Sequence, residues 1–134
     1  MNPIEVVTGL LVQSGKVLMC ERSPEKIYPL HWEFPGGKVE AGERLSDAVI
    51  REIREELHVE CHSLHTYFED TMTYSNGFTY HVTFFVINMF SGDPVNTEFN
   101  SIDWFTSEEL RNILHLSGNK QVIEKLIAEG IPAQ

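Results

Sequence analysis

Apolar and polar positions in the first part of the chain follow the short period that is typical of β-strands. Three β-branched or aromatic runs occupy residues 4–12, 16–21 and 32–34. Gln13-Ser14-Gly15 lies between the first two runs, which predicts a hairpin. The third run stops at Pro35, which cannot donate to a sheet ladder. Gly36-Gly37 follows and predicts a tight turn into the next segment.

The period changes to that of an α-helix after residue 43. The segment up to residue 57 has no Gly or Pro and is rich in Leu, Ala, Glu and Arg. Its apolar stripe consists of Leu45, Val49, Ile53 and Leu57. At about 100° per residue, Glu52, Glu55 and Glu56 fall within an arc of roughly 100° beside this stripe. We therefore expect the three carboxylates at the edge of the buried face.

The second half of the chain predicts more strands than helices. Residues 63–73 and 78–90 are joined by the hairpin signal Asn76-Gly77, and the second, longer run is expected to be central in a sheet. A short strand is predicted at 102–105, and a helix start follows with Thr106 or Ser107 as cap. A final amphipathic helix is predicted at 120–129. This order favours an α+β fold, an α/β/α sandwich around a mixed β-sheet.

Composition limits the class of protein. With 134 residues and 42% hydrophobic positions, residues 1–134 are expected to form a single domain with its own core. The net charge of −10 argues against binding to duplex nucleic acid, which needs Lys and Arg against the phosphates. This net charge is compatible with a small anionic substrate that binds together with a metal ion. A monomer and a homodimer are both compatible with the sequence.

The cysteines and the N-terminal segment give an expectation for the cellular compartment of the protein. Cys20 and Cys61 have no metal-type spacing, so we expect two free thiols in a reducing compartment and a cytoplasmic protein. The N-terminal run has no basic region and carries Glu5, which predicts a strand and not a signal peptide. No apolar run approaches the roughly 20 residues of a membrane span, so no membrane partner is expected.

The crowded carboxylates have two interpretations when taken alone. Like charges at i, i+4 destabilise a helix, and nearby carboxylates raise one another's pKa. Arg51 and Arg54 offset part of this cost, and a divalent cation offsets more; oxygen ligands suit Mg²⁺ or Mn²⁺. The alternative is a solvated acidic helix face.

The spacing of glycine and charged residues in this stretch resembles a known signature. Gly37, five residues, Glu43, seven residues, and then Arg51-Glu52-Ile53-Arg54-Glu55-Glu56, closing at Val59, resembles the motif of the Nudix hydrolases. His58 stands where that family usually has Gly, which bears on how the chain leaves the helix.

The resemblance implies a Nudix fold and roles for individual residues. The Gly37 carbonyl, Glu52, Glu55 and Glu56 are then metal ligands for Mg²⁺, with Mn²⁺ as a possible substitute. Glu52 also acts as, or orients, the base. Arg51 orients Glu52, and Glu43 holds the loop.

Further positions resemble the MutT-like branch, which cleaves nucleoside triphosphates to monophosphate and pyrophosphate. Arg22 is then close to the nucleotide, Glu98 is a further metal or base carboxylate, and Asn119 hydrogen-bonds the base. An Asn amide has a donor and an acceptor for a purine edge, but Asn119 is equally suited to cap the last helix. Stacking on the base is possible for Phe34 and for Phe78 or Tyr80, and Lys38 is a possible phosphate contact.

These observations leave several hypotheses. The first is a MutT-like enzyme that removes oxidised purine nucleotides such as 8-oxo-dGTP from the nucleotide pool. The second keeps the chemistry and changes the base to that of CTP, methylated dCTP or ordinary dNTPs. A third, from another class, is a non-catalytic nucleotide-binding module, which the complete set of glutamates argues against. Hydrolysis of RNA 5′ ends is disfavoured by the acidic balance.

Overall fold

The computed structural model describes residues 2–134, in which strands predominate. The strands are β1 (Ile4–Gln13), β2 (Lys16–Glu21), β3 (Trp32–Glu33), β4 (Gly36–Lys38), β5 (Glu60–Thr73), β6 (Thr79–Ser91) and β7 (Ser101–Phe105). The helices are α1 (Leu45–Leu57) and α2 (Lys120–Glu129), with short 3₁₀ helices at Glu109–Asn112 and Ser117–Asn119. Within the described chain, neither α-helix nor 3₁₀ helix is long and apolar enough to cross a membrane.

The strands form one mixed sheet, as the sequence predicted. The order is β3-β2-β1-β6-β5, with β4 also paired to β1 and β7 also paired to β2. Strands β1 and β6 run parallel, and the other pairs are antiparallel. Strand β6 therefore lies between β1 and β5, which is the central position expected from its long apolar run.

Two hydrophobic cores lie on opposite faces of the sheet and give the α/β/α sandwich. Alternate residues of β1 serve the two faces: Val7 and Leu11 pack with α1, whereas Leu10 and Val12 pack with α2. Burying an aliphatic side chain of this size contributes about 1.5–3 kcal/mol. Gly9 lets α1 approach β1 closely, because a Cβ there would be 2.9 Å from Cδ1 of Ile53.

The two glycines after Pro35 do not make the predicted turn. Residues Gly36–Lys38 form β4, in which Gly36 and Gly37 pair with Thr8 and Val7 of β1. A Cβ at Gly36 would be only 2.1 Å from the carbonyl oxygen of Val7, so glycine is needed here for close backbone approach. The prediction of a turn was wrong because sequence alone does not distinguish these two uses of glycine.

Helix α1 ends at Leu57, and His58 then adopts the left-handed conformation with φ 58° and ψ 35°. This is the conformation for which a helix end usually uses glycine. The N–H of His58 donates to the Arg54 carbonyl at 3.0 Å, which closes the last turn. The departure from the family pattern at this position therefore leaves the helix exit intact.

The segment predicted to start a helix at Thr106 is shorter than expected. Glu109 and Thr106 form a capping box: the Thr106 N–H donates to the Glu109 carboxylate at 2.9 Å, and the Glu109 N–H donates to Oγ1 of Thr106 at 3.2 Å. Only the 3₁₀ helix Glu109–Asn112 follows, and its Leu110 side chain is buried. The cap prediction is confirmed for Thr106, and the helix that it begins is a single turn.

Candidate active site

Arg51 is the centre of a polar network on α1. Its Nε and Nη2 donate to the two carboxylate oxygens of Glu43 at 2.8 and 3.0 Å, and Nη2 also donates to the Lys38 carbonyl at 3.2 Å. Its Nη1 donates to Oε1 of Glu52 at 3.0 Å. These bonds raise the pKa of Arg51, and with the N–H of Glu40 they lower the pKa of Glu43 to about 2. One guanidinium thus joins the loop before α1 to Glu52.

Glu52 and Glu56 form a carboxyl pair against strand β4. The Glu52 side chain is 15% exposed, and a Cβ at Gly37 would lie 2.6 Å from its Cδ. The Glu56 carboxyl lies against that of Glu52, and Gly36 of β4 is beside it. Burial, then the contact with Glu52 and the charge of Glu98, raise the pKa of Glu56 well above its usual range. Two carboxyls in contact need a proton or a cation between them.

The other two carboxylates predicted to bind metal, those of Glu55 and Glu98, lie on the solvent side of this pair. Glu55 is 59% exposed, and Nη1 of Arg51 is 3.4 Å from its Oε2. Glu98 is exposed in the loop between β6 and β7, and its charge acts on Glu56 and on Glu33. The expectation that all three helix carboxylates sit at the edge of the buried face therefore holds for Glu52 and Glu56 and not for Glu55.

The donor set fits a hard divalent cation. Within residues 2–134, no three His, Cys, Asp or Glu side chains are already gathered around a common point. The Glu52–Glu56 contact is nevertheless a partly buried carboxyl pair that one cation would neutralise, and the absence of a Cβ at Gly37 leaves backbone beside it. Carboxylate and carbonyl oxygens are the ligands that Mg²⁺ prefers.

A cavity of about 590 Å³ opens on the other side of β4. Its walls come from β1, the loop after β2, strands β3 and β4, the β5–β6 hairpin and the turn before α2. Its volume is in the range of small-molecule sites. The polar side chains are few, and the rest of the wall is apolar or aromatic. The polar and aromatic lining includes Arg22, Glu33, Tyr28, Tyr74, Tyr80 and Asn119.

Arg22 enters this cavity already paired. Its Nη1 donates to Oε2 of Glu33 at 3.0 Å, and its Nε donates to the Ile27 carbonyl at 2.8 Å. Burial raises the pKa of Glu33, although the hydrogen bond from Arg22 opposes the shift. The cavity therefore offers a fixed donor and a fixed acceptor side by side.

Asn119 lies at the turn before α2 and is 9% exposed. Its side chain makes no hydrogen bond to the first turn of the helix, although it occupies the N-cap position. A buried amide normally has a partner, so an amide that does not cap is available to a ligand. Side-chain capping by Asn119 is therefore not observed, and base binding stays a prediction.

The remaining predicted substrate residues are placed differently. Phe34 lines the cavity but is 4% exposed, because it belongs to the core under α2. Phe78 is exposed in the turn before β6 and is not among the lining residues, whereas Tyr80 is. Lys38 contributes its carbonyl to Arg51, and its side chain does not line the cavity either.

Comparison with known proteins identifies the family of this chain. Residues 3–126 match the model of the NUDIX domain. The chain belongs to the Nudix family. The prediction of a Nudix enzyme, made from residues 37–59, is thereby confirmed.

Two relatives and one solved structure illustrate the similarity of this chain to other Nudix proteins. The CTP pyrophosphohydrolase of Escherichia coli K12 is 32% identical over 109 residues, which are 81% of this chain and 80% of the relative. The nucleoside triphosphatase NudI of Klebsiella pneumoniae is 32% identical over 119 residues, covering 80% and 84%. The MutT Nudix hydrolase structure from Burkholderia pseudomallei has a TM-score of 0.82 at 23% identity, over 94% of this chain and 99% of that one. The likeness confirms the predicted Nudix fold.

Sequence reasoning missed two parts of this Nudix site. Glu33 was noted as part of a short strand and of the stretch 32–38 that resembles the MutT-like branch, but it was given no role; its position beside two aromatic residues was the available signal. From the β5–β6 hairpin only Phe78 or Tyr80 was expected near the base, yet its tip also brings Tyr74 to the cavity. No local pattern marks that wall, because it depends on how the hairpin packs against Ser117–Asn119. A Cβ at Gly118 would be 2.8 Å from the Tyr74 hydroxyl.

Proposed function

We propose that this Nudix protein is a magnesium-dependent pyrophosphohydrolase that converts (deoxy)nucleoside triphosphates to monophosphate and pyrophosphate. The observation that carries the proposal is the partly buried Glu52–Glu56 pair against β4, with a cavity of nucleotide size across the same strand. The names of the two relatives, a CTP pyrophosphohydrolase and a nucleoside triphosphatase, support the reaction class.

The residues around the carboxyl pair have distinct proposed roles. Glu52, Glu56 and the Gly37 carbonyl hold the metal, and Glu55 and Glu98 complete the set from the solvent side. Bound magnesium supplies charge neutralisation on the phosphates and activation of water. Arg51 keeps Glu52 in place through the bond at 3.0 Å, and Glu43 anchors Arg51. Glu52 accepts, or orients the group that accepts, the proton of the attacking water.

For the base, the first candidate is an oxidised purine such as the one in 8-oxo-dGTP. Asn119 supports it, because a buried amide without a capping bond offers both a donor and an acceptor to a purine edge. Tyr80 and Tyr74 supply aromatic wall on the same side. An enzyme of this kind removes damaged nucleotides from the cytoplasmic pool before a polymerase uses them.

The second candidate is a cytosine nucleotide, and a specific observation favours it. The Glu33 carboxylate lines the cavity, and carboxylates accept from the exocyclic amine of cytosine. Arg22 beside it is a donor for the carbonyl of the same base. The relative named as a CTP pyrophosphohydrolase points in the same direction.

A hydrolysis screen with product analysis tests the proposal. The panel contains 8-oxo-dGTP, dGTP, CTP, 5-methyl-dCTP, a dinucleoside polyphosphate and a nucleotide sugar, with Mg²⁺, with Mn²⁺ and with a chelator. We expect pyrophosphate and monophosphate from a triphosphate, and no turnover with the chelator. Release of inorganic phosphate alone, or turnover that survives chelation, would refute it. The ratio of kcat/KM for 8-oxo-dGTP and CTP decides between the two bases.

A further inference from the structure

The loop between β6 and β7 is attached to the end of α1 by two hydrogen bonds. The Thr97 hydroxyl donates to the carbonyl of Glu56 at 2.8 Å. The Val95 N–H donates to the carbonyl of Leu57 at 2.8 Å. These carbonyls belong to the last two residues of α1, where no later helical N–H can reach them. The loop therefore supplies the donors that the helix end lacks.

The same loop is closed around residue 98 by its own side chains. The Asn96 amide donates to the Phe99 carbonyl at 2.9 Å, and Oδ1 of Asn96 accepts from the Phe99 N–H at 2.9 Å. Beyond it, the Asn100 N–H donates to the Glu21 carbonyl at the end of β2 at 2.8 Å. Glu98 thus stands between one anchor on α1 and another on β2.

Glu98 itself is exposed, so the position of its carboxylate depends on the backbone that carries it. The Thr97 bond is made to Glu56, the very residue whose carboxyl is paired with Glu52. The loop is therefore fixed to α1 at Glu56, which is one of the two residues of the carboxyl pair. This contact is a bond to backbone and leaves the Glu56 side chain free.

We infer that Thr97 is a positioning residue, which holds Glu98 in reach of the Glu52–Glu56 pair by fixing its loop to the last turn of α1. The inference rests on the proposed function only in assigning a divalent cation to these carboxylates. Its consequence is that the hydroxyl of an exposed threonine outside the cavity lining contributes to metal affinity.

Metal binding by the nucleotide-free protein tests this role. Mn²⁺ is titrated into the protein, and free Mn²⁺ is followed by electron paramagnetic resonance. We expect Thr97→Val to weaken Mn²⁺ binding by about three- to tenfold. Thr97→Ser, which keeps the donor, should bind as the unmodified protein does. Thr73→Val is the matched control, because its hydroxyl bonds that of Thr79 at 2.9 Å in the β5–β6 hairpin, which contributes no residue to the Glu52–Glu56 pair.

A double-mutant cycle separates positioning from a general structural effect. In a Glu98→Gln background, Thr97→Val should cause no further loss of Mn²⁺ affinity, since the carboxylate that it positions is gone. Equal losses in both backgrounds, or unchanged affinity in Thr97→Val alone, would overturn the inference while leaving the proposed function standing. If the unmodified protein and Glu56→Gln bind Mn²⁺ equally weakly, both the inference and the metal role fail.

Discussion

Gly37 lies so close to Glu52 that a methyl group on Gly37 would displace the carboxylate. A Cβ at Gly37 would be 2.6 Å from Cδ and Oε1 of Glu52, whereas ordinary contacts are above 3.4 Å. The glycine is not at a positive φ, so its role is space and not conformation. The relation ties a backbone position in β4 directly to a side chain on α1.

This contact predicts the effect of Gly37→Ala. The added methyl should push Glu52 away from Glu56 and lower kcat at least about tenfold. Gly130→Ala is a suitable control, because it strains a residue with φ 84° at the end of α2, far from the carboxylates. That variant should lose about 1–3 kcal/mol of stability and keep its kcat. Equal kcat in the two variants would contradict the steric role of Gly37.

Replacing Glu56 with Gln should abolish most turnover without harming the fold. Glutamine resembles the protonated carboxyl that the raised pKa of Glu56 favours in the metal-free protein, so the melting temperature should not fall. We expect kcat to drop by at least about a hundredfold. Glu124→Gln makes the same change at an exposed site on α2 and should retain activity. Full activity of Glu56→Gln would exclude its metal role.

Arg51→Lys tests the forked contact with Glu43. A lysine keeps the charge and loses the two parallel bonds, so the loop before α1 should loosen. We expect about 1–2 kcal/mol lower stability and at least about a tenfold lower kcat. Arg44→Lys changes an arginine that is 83% exposed at the start of the same helix, and it should alter neither quantity. Chemical denaturation and steady-state kinetics measure both.

Asn119→Ala should separate recognition from helix capping. Loss of a capping side chain costs about 1 kcal/mol, but the Asn119 side chain makes no capping bond here. The melting temperature should therefore stay nearly constant while the kcat/KM ratio of 8-oxo-dGTP to dGTP falls. A lower melting temperature with an unchanged ratio would assign Asn119 to the helix alone.

His81 makes the stability of the sheet depend on pH. Its Nδ1 is 2.8 Å from Glu5 of β1, and its Nε2 is 3.2 Å from Glu69 of β5. The hydrogen bond and charge of Glu5, with the charge of Glu69, raise the pKa of His81. A raised pKa in the folded state means that the stabilisation is complete below the unfolded-state pKa of about 6.5 and is lost as pH rises through the folded value.

The corresponding variant is His81→Gln, studied by urea denaturation at two pH values. It should cost up to about 1 kcal/mol at about pH 5.5 and much less at about pH 8.5, since the pair is partly exposed. His65→Gln on β5 serves as the control. A pH-independent difference between His81→Gln and the unmodified protein would mean that the histidine acts through packing.

The features that could be predicted from the sequence are those encoded in one contiguous stretch of residues. Helix α1, its apolar stripe and the spacing from Gly37 to Glu56 are contiguous, and the strands other than β4 were recognised by composition to within three residues. The use of Gly36 was not predictable, because close approach to Val7 is a tertiary fact. Neither was the exposure of Glu55 or the placing of Phe78 outside the cavity, since both depend on which segments pack nearby.

Strand β4 separates the Glu52–Glu56 pair on one side from the cavity on the other. Gly36 and Gly37 border both the cavity and the Glu52–Glu56 pair. The hairpin tip and the turn before α2 also line the cavity, but they contribute no residue to the pair. Under the proposed function, substitutions in the hairpin tip or in the turn before α2 should therefore alter which base is accepted without disturbing the carboxyl pair. An evolving lineage with this architecture can acquire a new substrate through changes on one side of the strand while the hydrolytic chemistry on the other side stays the same.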